Sequence, residues 1–509
     1  MLLPPHGNGP YRVMRAFGGA AVRALDASLV DPAASQGARM RVIAEGMTGT
    51  AFARDHAWTG SEPLSALRGL PVRTHGELVP WLDRVEAGEG NVLTRAPVRS
   101  LLETSGTTGR PKHLPVTDAW AESVAMAQRL WVLALLRDDE GLASGKALSI
   151  VSAAVHGRST GGLAIGSNTG RMFLAQPWWV RWRAPVPYSA YCIEDSEVRA
   201  YAILRHALTQ PVTSWTTANP STLLLYCRRM RIWWEELRRD CADGTLGRLG
   251  QRGLKRASLA AEPELPWDLR RINCWTGGAA SFFVSRLPDA LGRSVPVRDA
   301  GITASEGYFA IPLDDGDPVA WLAGHVLEFV GDDGEARWAW EVEVGREYRL
   351  IITTEAGMYR YDIGDIVRIT GWAGAAPRMV FVRKAGNVLN AIGEKVTEEQ
   401  IADAARRAFP RASAVSVCVP LAEIPAFQVA TTSATPDAAA AFDAALRSTN
   451  VEYDGKRGSD RLAMPVVHII PADVFERWRA LRVAGGAPDA QVKDPWVLSP
   501  ERWEELIRC

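Results

Sequence analysis

The sequence predicts an α/β protein with parallel strand pairing over most of its length and an antiparallel β subdomain inserted late. Three observations predict it. Short apolar runs of strand type alternate with stretches of helical spacing, the pattern of parallel pairing through crossover helices. From Trp338 to Thr354 the period drops to simple alternation, as in antiparallel strands. The 509 residues give length for about two to four folding units.

Composition narrows the function classes. Lys plus Arg equals Asp plus Glu, 58 each, so no net field favours a nucleic acid or an anionic membrane. The six cysteines (Cys192, Cys227, Cys241, Cys274, Cys418, Cys509) form no C-x-x-C pair and no zinc spacing. Free structural thiols in a reducing compartment are the expectation. No signal peptide is evident at Met1 to Pro10, and no uncharged apolar run is long enough to span a bilayer. A cytoplasmic protein is expected. The 19 tryptophans suit core positions or pocket walls, since indole covers much area and keeps one donor.

Taken in order, residues 11–60 mix helical periodicity with small residues and predict a helical cap. Leu78, Val79, Trp81, Leu82 and Val85 place a helix within Pro71 to Asn91. Leu101-Leu102 reads as a short strand feeding the run Glu103-Thr104-Ser105-Gly106-Thr107-Thr108-Gly109-Arg110-Pro111-Lys112. Gly106 and Gly109 permit turns that a Cβ would forbid and let peptide N–H groups approach an anion. The hydroxyls of Thr104, Ser105, Thr107 and Thr108 and the Lys112 ammonium add donors for phosphate oxygens. This is not the P-loop, whose lysine follows its second glycine directly and precedes a hydroxyl. It reads as a polyphosphate grip, with a ligand-free loop of small residues as the alternative. Thr117 or Asp118 then caps a helix to about Leu136, giving strand, glycine loop and helix in succession.

Ala147 to Ala154 is an apolar run of strand type. Val198 to Leu208 and Ser221 to Arg239 read as helices, the second opening at Asn219-Pro220-Ser221. Arg271 to Trp275 and Val295 to Arg298 read as short buried strands. After the first comes Thr276-Gly277-Gly278-Ala279-Ala280, either a surface for a nucleotide or acyl chain or a plain tight turn. After the second comes Ala304-Ser305-Glu306-Gly307. A carboxylate there can hold Mg²⁺ and leave coordination positions to phosphate oxygens and water; a solvated loop glutamate is the alternative.

The decapeptide from Met358 to Val367 is much rarer than the Gly-Asp turn within it, which by itself is common and usually structural. Asp365, after Gly364 at a strand start, can accept both ribose hydroxyls, as acidic residues do in other nucleotide folds. Tyr359 and Tyr361 either wall an adenine or fill a core. Thr431 to Ala441 reads as a loop and helix start. Beyond Gly485-Gly486, the segment Gln491 to Pro495 carries Lys493 on a glycine-flexible stretch. A mobile ammonium there can neutralise charge developing at an α-phosphate; an ordinary solvated lysine is the alternative.

Together these segments resemble the Gretchen Hagen family of acyl acid–amido synthetases, bacterial in style, within the adenylate-forming superfamily. The resemblance runs from about Val42 to Val497. It is carried by Gly88 to Thr94, Thr104 to Lys112 with Leu114 to Thr117, Thr217 to Ser221, Thr276 to Gly278, Ala304 to Gly307 and Tyr359 to Val367. Asn450 to Tyr453, Lys456-Arg457 and Gln491 to Pro495 continue it. Two positions depart from the family pattern: Ala304 stands where plant members usually have serine, and Trp496 where arginine is frequent.

The resemblance implies a large multi-lobed N-terminal adenylation domain over residues 1–383, with mixed sheets, flanking helices and a β subdomain. A small mobile α+β C-terminal domain follows over 384–509, hinged around Arg383-Lys384. It implies that Ser105, Gly106, Thr107, Thr108 and Lys112 hold the ATP phosphates, that Glu306 organises Mg²⁺, and that Ala304 and Ser305 line the adenine and α-phosphate region. Asp365 would hold the ribose, and Lys493 would be the mobile cation. The implied reaction joins a small carboxylic acid, activated as acyl-AMP, to an amine such as an amino acid. The acyl pocket is expected between Ser152 to Gly162 and Pro177 to Pro187, with Arg158 meeting a carboxylate and Trp178, Trp179 and Trp182 as walls or core. His156 and His325 are candidates for the general base by residue type alone, with a satisfied structural histidine as the alternative for each.

Two rival readings remain at this point. An acyl-CoA or carrier-protein ligase shares the first step, and the adenylation motifs do not separate it; the C-terminal third favours an amine. A nucleotide-binding regulator without catalysis is opposed by the presence of Lys112, Glu306, Asp365 and Lys493 together.

Overall fold

Helices open the chain because their starts carry capping side chains. In the computed structural model, Asn8, Asp31 and Thr50 accept from the backbone N–H of Tyr11, Ala34 and Ala53, opening helices Gly9–Phe17, Pro32–Met47 and Ala51–Asp55. Helix Gly19–Val30 lies between the first two. Thr74 and Glu77 form a capping box for helix His75–Glu86. The inner faces of these helices, including Met40, Phe52, Leu78 and Leu82, are buried in the main core. The described residues are 2–104, 112–256, 259–277, 280–386, 388–471, 473–475, 477–478 and 496–508.

The glycine-rich run connects two strands, Ser100–Thr104 and Lys112–Val116. They are neighbours in a four-stranded sheet whose other members are Ala164–Gly166 and Gly157–Arg158. The expected passage from loop straight into helix is therefore corrected. Leu114 and Val116, two residues apart, bury one strand face before Thr117 caps helix Asp118–Asp138.

A second four-stranded sheet is wholly parallel, in the order Val297–Asp299, Arg271–Cys274, Val212–Thr216, Lys146–Ser149. The strand expected over Ala147 to Ala154 ends early, because Ser152 and Ala154 donate their N–H to the Thr169 and Tyr188 hydroxyls instead of a ladder. Helices Ser196–Ala207, Pro220–Ile232 and Trp234–Asp243 accompany this sheet. The single helix expected over 221–239 is two, broken at Trp233, where φ is −96° and ψ 11°.

The antiparallel region is much larger than the alternating stretch suggested. Eight strands between Ile302 and Lys384 form one sheet. Strands Gly307–Ile311 and Val326–Val330 are buried on both faces, so no period of two shows in their sequence. Patterning was blind to them for that reason.

The chain divides into two compact units. One comprises Met1–Glu103 with His113–Ala385; the other comprises Thr104–Lys112 with Gly386–Cys509. The second unit is α+β. Among its described residues a three-stranded sheet joins Val415–Cys418, Gln428–Thr431 and Val466–Ile469, a two-stranded one joins Val388–Leu389 and Val396–Thr397, and the helices include Glu398–Ala408, Ala438–Thr449, Val451–Gly458 and Pro500–Arg508. Cys418, Trp478, Leu498 and Leu506 belong to its core. Cys192, Cys227, Cys241, Cys274 and Cys418 are free thiols, all buried but the first. Among the described residues no helix is long and apolar enough to cross a membrane.

Candidate functional site

Three of the segments singled out above meet in the first unit. Ser305-Glu306 is the two-residue turn of a hairpin, since Ala304 pairs with Gly307 across strands Ile302–Ala304 and Gly307–Ile311. The turn is fixed from below. Trp120, on helix Asp118–Asp138, donates its indole N–H to the Glu306 carbonyl oxygen at 2.7 Å. His325 packs so closely that a Cβ at Gly307 would come within 2.5 Å of its Nε2, so this turn requires glycine.

Tyr361 begins strand Tyr361–Ala373, and its hydroxyl lies 3.4 Å from Glu306 Oε1. Burial, with Glu306 adding, pushes the phenol well above its ordinary pKa, so it stays a neutral donor. Asp365 lies within this strand rather than at its start. It is paired in register with Lys384, the last residue of strand Ala376–Lys384, and the two side chains form an ion pair at 2.5 Å. Burial opposes the Lys384 charge, yet Asp365, with Glu306 and Asp362 farther off, holds its pKa above the usual value.

The third segment follows strand Arg271–Cys274. Thr276 donates both its N–H, at 2.9 Å, and its hydroxyl to Asp299 Oδ2, while Gly301 N–H donates to Oδ1 at 2.5 Å. Trp275 reaches Thr303 Oγ1 at 3.3 Å, tying this turn to the Glu306 hairpin. A Cβ at Gly277 would lie 3.0 Å from the Phe381 carbonyl oxygen, tight enough to disfavour any larger residue. Burial, with Asp299 adding, pushes the Cys274 thiol up to about 12. It is inert packing.

Thr104 ends one strand and Lys112 begins the next, so they bracket the glycine-rich run. Ser105, Gly106, Thr107, Thr108, Gly109, Gly278 and Lys493 lie outside the described residues. Among the described residues no group of three or more His, Cys, Asp or Glu could cage a metal. Glu306 offers a hard carboxylate oxygen of the kind Mg²⁺ takes alongside phosphate oxygens and water.

Several residues beside the site escaped sequence reasoning. Arg171, on helix Asn168–Ala175, stacks 5.1 Å from the Trp120 ring centroid and donates to Asn168 Oδ1 at 2.9 Å. Its Nε is buried with no partner among the described residues, and burial lowers its pKa. Glu103, just before the glycine-rich run, lies 3.2 Å from His156 Nε2 and 3.5 Å from His113 Nε2; His113 Nδ1 in turn lies 2.9 Å from Glu86. Its pairing with Glu103, working against burial, holds His113 above the usual imidazole range, and the same pairing lowers Glu103. Asp299 belongs with them, as does Lys384, which the sequence offered only as part of a hinge. A lone charged residue carries no sequence pattern, which is why they were missed.

One cavity lies on the Pro177 to Pro187 side of the expected acyl pocket. It has a volume of about 700 Å³ and is lined by Trp182, Ala184 to Tyr188, Lys146 and Arg181, but by none of Ser152 to Gly162. Trp178 and Trp182 are 74% and 71% exposed, too open to be core. Trp179 packs against Phe17 with the rings tilted by 40°. Arg158 is exposed and spends a donor on the Gly162 carbonyl oxygen. His325 is fully buried against Glu355, which also pairs with Arg39, so it is a structural histidine.

The GH3 family N-terminal domain matches residues 21–278, its central domain 321–384 and its C-terminal domain 423–502. The chain is 27% identical over 418 residues to the indole-3-acetic acid-amido synthetase GH3.8 of Oryza sativa subsp. indica, covering 72% of this chain and 68% of that one. It is 24% identical to the jasmonoyl–L-amino acid synthetase JAR6 of Nicotiana attenuata, over 69% of each. Among solved structures it resembles the GH3.15 acyl acid amido synthetase, with TM-score 0.67, 18% identity, and 96% and 95% of the two chains covered. A 2-hydroxyisobutyryl-CoA ligase in complex with 2-HIB-AMP and CoA shares the fold at TM-score 0.54 and 16% identity, over 93% and 91%.

Proposed function

The chain belongs to the GH3 family, and on that premise we propose that it is an ATP-dependent acyl acid–amido synthetase. A substrate carboxylate oxygen attacks the α-phosphorus of ATP, giving acyl-AMP and pyrophosphate. An amine, such as that of an amino acid, then attacks the acyl carbon. The amide forms, AMP leaves, and the amine gives up a proton. The observation that carries this reading is the ordered match of three GH3 domains along one chain whose adenylation motifs are intact.

The first step builds charge on phosphate oxygens, so electrostatic stabilisation outweighs covalent help. Thr104, Ser105, Gly106, Thr107, Thr108, Gly109 and Lys112 grip the phosphates. Glu306 would hold Mg²⁺, which supplies positive charge to the phosphate oxygens. The Trp120 and His325 contacts beneath the turn keep that carboxylate in place, and Tyr361 orients it. Asp365 takes the ribose hydroxyls, while Thr276, Gly277, Gly278, Ala304 and Ser305 form the wall beside the nucleoside. Lys493 approaches the α-phosphate. The hinge expected around Arg383-Lys384 would fall just after it, since Lys384 and Ala385 are still held by the sheet and the second unit resumes at Gly386.

Arg171 anchors the acid. Its half-buried guanidinium has no carboxylate partner and one buried N–H without an acceptor among the described residues, a donor that a ligand carboxylate can complete. It stacks on the indole that holds the Glu306 turn, which puts it beside the reacting centre.

The test is a carboxylic-acid library screened by ATP–pyrophosphate exchange, then mass analysis of products formed from the best acid with amino acids or with CoA. An amide supports the proposal. A thioester in place of the amide, or no exchange with any acid despite ATP binding, overturns it.

A further inference from the structure

A buried carboxylate that must bind two hydroxyls has to be held correctly turned. Asp365 is 5% exposed, so water cannot do this. Its Oδ1 lies 2.5 Å from the Lys384 ammonium, an ion pair rather than an aligned hydrogen bond, and among the described residues no hydrogen bond or ion pair involves its Oδ2. Lys384 cannot drift, because its Nζ also donates at 2.8 Å to the carbonyl oxygen of Ile363, two residues before Asp365 on the same strand. The two residues are cross-strand partners, and the ladder closes beyond them with Ala385 N–H donating to Gly364 at 2.7 Å. Asp365, Lys384 and Ile363 thus form a fixed triangle.

We propose that Lys384 is a positioning residue for the nucleotide: it occupies one oxygen of Asp365 and presents the other to the ribose hydroxyls. The proposal rests on the ribose reading of Asp365 and adds the residue that makes that carboxylate selective. With the ammonium gone, the carboxylate is free to rotate, and its burial penalty is no longer offset. Nucleotides with and without ribose hydroxyls then bind alike. Arginine restores the cation but not the same single-point contact, so it restores selectivity in part.

The experiment needs no knowledge of the acid. Binding of ATP and of 2′,3′-dideoxy-ATP to the purified full chain, with Mg²⁺ present, is measured by titration calorimetry. The unmodified protein should favour ATP by about tenfold or more, as expected for a site built to pair with substrate hydroxyls. Lys384→Met should bring the ratio close to one by weakening ATP alone, and Lys384→Arg should recover most of it. A purely structural role would weaken both nucleotides equally and leave the ratio intact, which overturns the proposal. Asp365→Asn separates the two layers. If it keeps the ratio, the ribose reading fails; if it loses the ratio while Lys384→Met keeps it, only the Lys384 proposal fails. Should Lys384→Met not fold, Lys384→Gln, which retains a donor for Ile363, is titrated in its place: a ratio near one supports the proposal, and an intact ratio overturns it.

Discussion

The Tyr361 hydroxyl lies 3.4 Å from the Glu306 carboxylate, joining two motifs 55 positions apart in the chain. One comes from a hairpin turn and the other from a strand start, and a single sheet carries both. Neither residue reaches the other through local structure. Sheet order makes the contact.

That contact predicts graded effects on adenylation. Glu306→Gln should lower kcat for pyrophosphate exchange by about 100- to 1000-fold, the usual cost of removing a preorganised electrostatic group. Tyr361→Phe, which only frees the carboxylate, should cost about tenfold, close to one modest hydrogen bond. Circular dichroism should show both folded. Exchange kinetics unchanged in Glu306→Gln would remove the metal-site assignment.

Arg171→Met should raise the KM for the acid by about 10- to 100-fold, in line with losing a hydrogen bond to a charged group. The KM for ATP should stay within about twofold, because the nucleotide is held elsewhere. A parallel rise in both constants points instead to a packing role against Trp120.

The Glu86–His113–Glu103 cluster predicts a pH dependence. His113 is raised from 6.5, so its contribution is full below that value and fades as pH climbs through the higher folded pKa. Glu103 is lowered from 4.5, so its contribution is full above that value and fades as pH falls through the lower folded pKa. The stability lost in His113→Gln, about 1–2 kcal/mol, should therefore be greatest between these limits, near pH 5–6, and shrink by pH 9. Urea unfolding across that range checks it. A loss independent of pH would mean the imidazole acts only by shape.

Arg360 tests the frame beneath the site. It sits at φ 45°, donates to both Glu328 oxygens at 2.9 and 2.8 Å, and caps the carbonyl oxygens of Arg68 and Leu70. Arg360→Met strands a buried carboxylate and should cost about 3–5 kcal/mol. The first urea transition should move to lower concentration accordingly. A shift below about 1 kcal/mol would show that Glu328 takes up a proton at little expense.

Much of the fold was legible because it rests on local chemistry. Thr117 as a helix cap, the helical spacing of Leu78 and Leu82, and the strand at Leu101 each follow from neighbours within a few positions. Gly307–Ile311 and Val326–Val330 were not legible, since burial on both faces erases alternation. Trp178 and Trp182 were left between wall and core because an indole suits both; their exposure excludes the core, and Trp182 lines the cavity.

By itself the sequence determined the kinds of group the site would contain: Glu306 on a turn, Asp365 and Tyr361 in one rare decapeptide, Thr276 and Gly277 after a strand. Tertiary structure alone decided their company, giving Asp365 to Lys384, Thr276 to Asp299, and Trp120 both to the Glu306 turn and to Arg171. The reason is physical. Backbone preference acts over a few residues and is written in their order, whereas charge pairing acts through space and depends on which strands the sheet sets side by side.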